Sequence, residues 1–406
     1  MATAAPAQPD LAGGVTTPRG FRAAGISAGI KASGAADLML LVSDTPAQAA
    51  GVFTTNRMQA AGVLVSKEHL AASGGIARAI IVNSGCANAC TGDGGMRVAR
   101  GMAAEAARAV GCTPEQVLVA STGVIGVALP LEKIEAGVPA AFRALGADQG
   151  LAAARAIMTT DLAPKEAAVA ITIDGRQAAI GGMCKGAGMI EPMMATMLGF
   201  VTTDVAMPQA LLERALREAV DESFNAITVD GDSSTNDCVL MLANGSSGVT
   251  VGEASYAAFL EGLKTVCRTL ALAIVRGGEG ATKLVTVNVT GAASSTEARK
   301  AAKVIANSLL VKTAIHGGDP NWGRLICAAG RAGVAFDPSR AAVTIGSLVL
   351  YKDGQPHDEL APKAAEYLKG TDLTVGVDLG SGDAASTVWT CDLSAEYVRI
   401  NADYRT

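Results

Sequence analysis

Apolar residues along this chain recur in two rhythms, and each rhythm predicts an element. Short β-type apolar runs bounded by glycine or charge, "ARAIIVNSG" (77–85), "QVLVASTGVIG" (116–126) and "EAAVAITIDG" (166–175), read as strands. Between the first two lies "GMRVARGMAAEAARAVG" (95–111), whose apolar spacing predicts a helix. The second half repeats the mixture, with strands expected over 224–232, 282–291, 341–351 and 373–382 and helices near 207–220, 253–275 and 295–307. Strands flank helices throughout, but without the one-to-one alternation of a doubly wound parallel sheet. The class predicted is therefore α/β (α+β), and no linker, heptad run or internal repeat divides the chain.

One stretch departs from either rhythm. "KGAGMIEPMMATMLGF" (185–200) runs from a glycine-rich turn into methionines and places a single hydroxyl, Thr196, among apolar neighbours. Its plain reading is a short helix opened by Pro192 that packs Met193, Met194, Met197 and Leu198 into a core. Its chemical reading is a nucleophile: a threonine hydroxyl is weak at its own pKa, but an N-terminal threonine carries a base in its own α-amine, with a reference pKa of about 7.7–8.0. Cutting the bond between Ala195 and Thr196 would create that base. Spacing alone favours the packing reading.

Composition narrows the partners. In 406 residues half are hydrophobic but only 3% aromatic, with 47 glycines, the palette of a large α/β enzyme. A net charge of -5 and the absence of a Lys/Arg block argue against nucleic acid or an anionic membrane surface, and no apolar run approaches the roughly 18 residues a transmembrane helix needs. The N-terminus lacks a basic-then-apolar signal pattern, so residues 1–16 read as a flexible tail and the expected location is cytoplasmic. Eight scattered cysteines fit reduced thiols, and Cys86 and Cys90 lack the second pair that a zinc site needs, so no metal is expected.

Familiar catalytic signatures are missing. Gly186 and Gly188 are followed by Glu191 where a dinucleotide fingerprint needs glycine, and "DGDSSTND" (230–237) lacks the sixth-position glycine and twelfth-position acid of a calcium loop, leaving a hydrogen-bonded turn. The "TTD" triplets at 159–161 and 202–204 read as cap or turn chemistry. His316, in "HGGDPNWGR", reads first as part of a tight turn and second as a base. "STGVIG" (121–126) ends a strand in a cluster able to aim donors at one oxygen, but a plain turn predicts the same letters.

In order along the chain, "GFRAAGISAGIK", "VNSGCANACTG", "ASTGVIG", "AIMTTD", "KGAGMIEPMMATML", "DGDSSTND", "GGEGATK", "SLLVKTAIHGGDPNWGR" and "YVRINADYRT" resemble the ornithine acetyltransferase (glutamate N-acetyltransferase) family of arginine biosynthesis. The likeness runs from about Gly20 to Thr406. It implies an αββα layered sandwich formed jointly by two fragments of one precursor, an N-terminal-nucleophile-like enzyme cut between Ala195 and Thr196. Residues 17–195 would form the first working fragment and 196–406 the second. Thr196 would take acetyl from N2-acetylornithine and pass it to glutamate by ping-pong kinetics, with acetyl-CoA as a further candidate donor. No other cofactor is implied, and paired fragments would assemble into a heterotetramer.

Carried over residue by residue, the resemblance gives oxyanion stabilisation to Thr122 and Gly123 and substrate contacts to Thr159, Lys185, Thr196, Glu279, Asn401 and Thr406. Lys185 would meet an α-carboxylate and Glu279 the cationic end of ornithine. Arg276, Gly277 and Gly278 precede Glu279 here where relatives carry Asp-Gly, which places a positive charge close to it in sequence. Two rivals stand beside this reading: a self-processed N-terminal-threonine amidase or aminopeptidase using water as acceptor, and an uncut relative in which Thr196 only packs.

Overall fold

A single long strand organises the first two thirds of the molecule. The computed structural model describes residues 12–191 and 197–403. Within it, β1 (Phe21–Ile26) pairs antiparallel with β2 (Leu38–Phe53), which is followed by α1 (Ala61–Ala72), β3 (Ile76–Cys86), α2 (Gly92–Val110), β4 (Val117–Val124), α3 (Leu131–Arg143) and α4 (Gly150–Ala156). Next come the β5 (Lys165–Ile173) and β6 (Arg176–Lys185) hairpin, β7 (Leu198–Thr203), α5 (Gln209–Asp221), β8 (Cys238–Ala243) and α6 (Tyr256–Arg276). These strands form one eight-stranded sheet of order β4-β3-β2-β8-β7-β6-β5, with β1 beside β2.

That sheet folds over on itself. The first half of β2, Leu38–Val42, pairs with β3, while Gln48–Phe53 pair with β8, and the register with β3 shifts between Val42 and Ala47. Because side chains alternate across a strand, Met39 and Leu41 of β2, Ile80 and Val82 of β3 and Leu118 of β4 share one inner core with Met183 of β6, Leu198 and Phe200 of β7 and Leu240 and Leu242 of β8. The alternate residues face outward. Leu38, Leu40, Ile81 and Val119 are covered by α1, α2 and α3, and Val169, Ile180, Val201 and Met241 by α5 and α6. On α6 the residues Phe259, Leu263, Val266, Leu270 and Ile274 follow helical spacing and are all buried. The order helices, strands, strands, helices is the αββα layering that the resemblance implies.

The second sheet, order β12-β11-β10-β13-β9-β14, is built from β9 (Leu284–Ala292), β10 (Ala342–Ile345), β11 (Leu348–Lys352), β12 (Gln355–Pro356), β13 (Asp372–Asp378) and β14 (Ala384–Cys391). Its core joins Val285, Val287, Val375 and Val388 to helices α7 (Ser295–Ala306), α8 (Leu309–Gly317) and α9 (Trp322–Gly330), with Ala364 from α10 (Ala361–Tyr367). Leu284 and Cys391 at one end of this sheet belong instead to the core around α6, and Trp389 packs against it, which locks the two units together. The chain ends in α11 (Ala395–Asp403), none of whose residues is buried.

Four expectations change. The run 224–232 is not a strand: it forms a one-turn 3-10 helix, Phe224–Ala226, then a buried irregular segment whose Thr228 and Val229 amides donate to Trp389 and Ile190 on two different segments, so no ladder propagates. The run 341–351 is two strands, because Gly346 turns the chain at φ 59° between β10 and β11. His316 lies in the last turn of α8, and the turn follows it, at Gly318 with φ 70°. Val15, assigned by composition to the tail, is fully buried and its carbonyl accepts from the Thr202 hydroxyl at 2.8 Å. No helix among the described residues is long and apolar enough to cross a membrane.

Phe200 lies fully buried between the two halves of the folded sheet. Phe200→Ala is expected to destabilise the chain by about 3–5 kcal/mol in chemical denaturation; a loss under about 1 kcal/mol would mean the two layers do not depend on each other there.

Candidate active site

Where the folded sheet meets the second unit, the C-terminal ends of β4 and β6, the loop before β8, the end of α6 and helix α11 surround a cleft of about 200 Å³. Thr122, Gly123, Thr159, Lys185, Glu279 and Asn401, singled out from the sequence, all line it. Ala195, Thr196 and Thr406 lie outside the described residues. Met197, which follows Thr196 in sequence, lines the same cleft and is buried.

The end of β4 has room only for glycine at position 123. Gly123 has φ 129°, and a Cβ there would stand 2.3 Å from the carbonyl carbon of Gly85 and 2.5 Å from the nitrogen of Cys86 on β3. The parallel pairing of β3 and β4 sets that close approach. Lys185, the last residue of β6, donates from Nζ to the Thr122 hydroxyl at 3.2 Å, so the cleft's cation and the end of β4 touch.

Beneath them sits Asp161. Its buried carboxylate accepts from Lys165 Nζ at 2.5 Å, from the Gly186 amide at 2.7 Å and from the Thr159 amide at 3.1 Å, tying two cleft-lining segments to one group. Burial alone would raise its pKa, but Lys185 and Lys165 outweigh that and hold it at about 2. Lys31 approaches the same group of charges, its Nζ held by the carbonyls of Ala36 and Met158, and burial lowers its pKa.

The opposite wall is acidic. Glu279 is buried, accepts from Asn401 Nδ2 at 2.8 Å and fits because residue 188 is glycine: a Cβ there would come within 2.3 Å of Glu279 Oε2. Asp230 accepts from the Met189 and Ile190 amides at 2.7 and 2.8 Å and from the Tyr397 hydroxyl at 3.2 Å. Burial raises the pKa of Asp230 and, more strongly, that of Asp237. Arg276, close to Glu279 in sequence, turns away and pairs with Asp372 at 2.5 Å.

The chain is pinned on both sides of 192–196. Ahead of it, Met189 is held at φ 56°, and Glu191 accepts from Asn307 at 3.0 Å and pairs with Lys303 at 3.3 Å. Behind it, the Met197 carbonyl accepts from the Cys238 amide at 3.0 Å. His316 does not line the cleft; its Nδ1 pairs at 2.7 Å with Asp392, which also accepts from the Thr282 and Lys283 amides.

The sequence reading passed over part of this wall. Asp230, Asp232, Ser234, Asn236 and Asp237, all from the turn "DGDSSTND", and Tyr397 line the cleft. The turn chemistry was visible in the letters; its position against β4 depends on contacts more than 100 residues apart in sequence, such as Asn236 to Ser121, separated by 115. The first "TTD" triplet likewise supplies Thr159, Thr160 and the buried Asp161.

A preformed cleft with a lysine and a hydroxyl at one end and carboxylates at the other has the polar, concave lining of a small-molecule enzyme site. Residues 22–406 match the sequence model of the ArgJ family. The arginine biosynthesis bifunctional protein ArgJ of Symbiobacterium thermophilum is 51% identical over 403 residues, covering 98% of this chain and 99% of that protein. Its counterpart in Thermosynechococcus vestitus is 50% identical, with 98% and 99% covered. A crystal structure of the ArgJ protein of Bacillus halodurans is 44% identical, covers 50% of this chain and 98% of that one, and superposes with a TM-score of 0.49. The chain belongs to the ArgJ family.

The folded-state pKa of Asp161, about 2, lies below its ordinary 3.8. Its charge therefore stabilises the fold above pH ~4, and that contribution is lost as pH falls towards 2. Relative to Asp161→Asn, the wild type is expected to be more stable by about 2 kcal/mol near neutrality, with the gap closing between pH ~4 and ~2. Denaturation curves showing a gap independent of pH would contradict this.

Proposed function

We propose that this chain cuts itself between Ala195 and Thr196 and then carries an acetyl group from N2-acetylornithine to glutamate on the Thr196 hydroxyl. The observation that supports it most is the convergence of Thr122, Gly123, Thr159, Lys185, Glu279 and Asn401, from separate segments, on one cleft whose wall includes the residue next to Thr196. The cut divides the chain into fragments 1–195 and 196–406, the first built mainly from residues 17–195 with Val15 packed into its core.

In processing, the Thr196 oxygen attacks the Ala195 carbonyl and the amide becomes an ester as the Thr196 nitrogen leaves as a free amine; water then hydrolyses the ester, releasing the Ala195 carboxylate and restoring the Thr196 hydroxyl. That amine is the base the hydroxyl needs. In transfer it takes the hydroxyl proton as the oxygen attacks the acetyl carbonyl, and donors at Thr122 and Gly123 stabilise the oxyanion. Collapse returns the proton to the leaving nitrogen and frees ornithine. The neutral amine of glutamate then attacks the acetyl ester, N-acetylglutamate leaves and the hydroxyl is restored. Lys185 meets the substrate's α-carboxylate, Glu279 the δ-ammonium of acetylornithine, and Thr159, Asn401 and Thr406 orient the chain between them.

Cleavage would not release the fragments. The strands on either side of the cut, β6 and β7, are hydrogen-bonded neighbours, and β7 and β8 of the second fragment lie between β6 and β2 of the first. Pairing of two such heterodimers gives a heterotetramer working in the cytosol. Acetyl-CoA serves as a second acetyl donor, and neither a metal nor another cofactor is required.

A denaturing intact-mass spectrum of fresh protein should show two chains meeting at Ala195 and Thr196 that co-elute under native conditions, and Thr196→Ala should stay whole. Without glutamate, ornithine release should stop after one equivalent. Continued release would make the protein a hydrolase, and an uncut chain with full activity would remove the amine from the mechanism.

A further inference from the structure

The turn between Asp230 and Asp237 does more than close one side of the cleft. Its Asn236 is buried and reaches from the loop before β8 to two other segments. The amide nitrogen donates to the Ala87 carbonyl at 2.6 Å and to the Ser121 carbonyl at 2.8 Å. The amide oxygen accepts from the Thr235 hydroxyl at 2.6 Å, and the Asn236 backbone amide donates to Ser234 Oγ at 3.1 Å. Both donor hydrogens are thus engaged, and the orientation is fixed, since flipping the amide would set its oxygen against two carbonyl oxygens.

Ser121 is the residue whose carbonyl shares a peptide plane with the Thr122 N–H. In a planar trans peptide the C=O and N–H point in opposite directions. Ser121 and Thr122 already pair with Asn83 and Ser84 of β3 in the parallel ladder, and a side chain that also holds the Ser121 oxygen adds to what fixes the direction of the Thr122 N–H. Donation to the carbonyl also polarises the peptide and strengthens its N–H as a donor. The second bond, to Ala87, anchors the segment that follows β3, whose Gly85 and Cys86 lie against Gly123.

We infer that Asn236 is the positioning residue of the oxyanion site, aiming the Thr122 N–H through the Ser121–Thr122 peptide. The inference rests on the transfer reading above. It makes Asn236 matter when negative charge develops on an acyl oxygen, in self-cleavage and in both acetyl transfers, and matter little to ground-state binding. Aspartate in its place would present an acceptor to both carbonyls and fail for the same reason.

The test compares full-length wild type, Asn236→Ala and Thr235→Val. Thr235→Val keeps both amide donations but removes the bond that steadies the amide oxygen. Loss of a direct oxyanion donor costs roughly 100- to 1,000-fold in kcat, so misaiming one should cost about tenfold or more in Asn236→Ala, with KM for both substrates within about twofold. Fragment formation should slow in parallel. Thr235→Val should show a smaller loss, about threefold, in kcat alone. A variant with a lowered Tm but unchanged kcat, or with raised KM at constant kcat, would overturn the assignment. If Asn236→Ala does not fold, Thr235→Val decides, and an unchanged kcat there also overturns it. Wild type that transfers no acetyl to glutamate would bring down the functional reading and this inference together; active wild type matched by Asn236→Ala would remove the inference alone.

Discussion

The pairing of β2 with β3 along one half of its length and with β8 along the other is the constraint on which the molecule depends. It bends one sheet into two facing layers, and the alternation of side chains then gives the inner core to Met39, Leu41, Phe200 and Leu240 and the outer faces to the helices. The same bend brings the end of β4 to the end of β6 and to the loop before β8. No local preference at any of these ends would place them together; the cleft is a consequence of closing the sheet.

Electrostatics then divides the cleft. At the β4–β6 end, Lys185, Lys165 and Lys31 stand around the carboxylate of Asp161, and only the first lines the cleft. At the far end Glu279 is steadied by Asn401, and Asp230 by two backbone amides and Tyr397. Asp161 and Asp230 persist as buried carboxylates because each is given several donors; an unpartnered one would cost several kcal/mol or take up a proton. The amino-acid chemistry proposed for the site follows from that separation of charge, and α11, with no buried residue, is held to the acidic end by these polar contacts from Tyr397 and Asn401.

Much of this was legible in the letters, and the exceptions have physical causes. The strands over 77–85, 116–126, 166–175, 282–291 and 373–382 and the helices near 95–111, 207–220, 253–275 and 295–307 formed where their periodicity placed them, because each buries one face against a layer. The apolar run 224–232 misled because burial does not require a ladder: its amides bond singly to separate segments. The turn at Gly346 was hidden in a continuous apolar pattern. Thr122, Gly123, Thr159, Lys185, Glu279 and Asn401 were read from a family resemblance and share the cleft. Asp161, Asp230, Asn236 and Tyr397 escaped because their roles arise from contacts distant in sequence or from burial, neither of which spacing encodes.

The account stands on Thr196 as the carrier of the acetyl group, and trapping that carrier tests it most directly. Processed protein incubated with N2-acetylornithine alone, quenched in acid and digested, should yield the peptide that begins at Thr196 bearing one hydroxylamine-labile acetyl ester. Adding glutamate before the quench should clear the ester and form N-acetylglutamate. Formation of N-acetylglutamate with that peptide never acetylated, or with the acetyl group on another residue, would contradict the account.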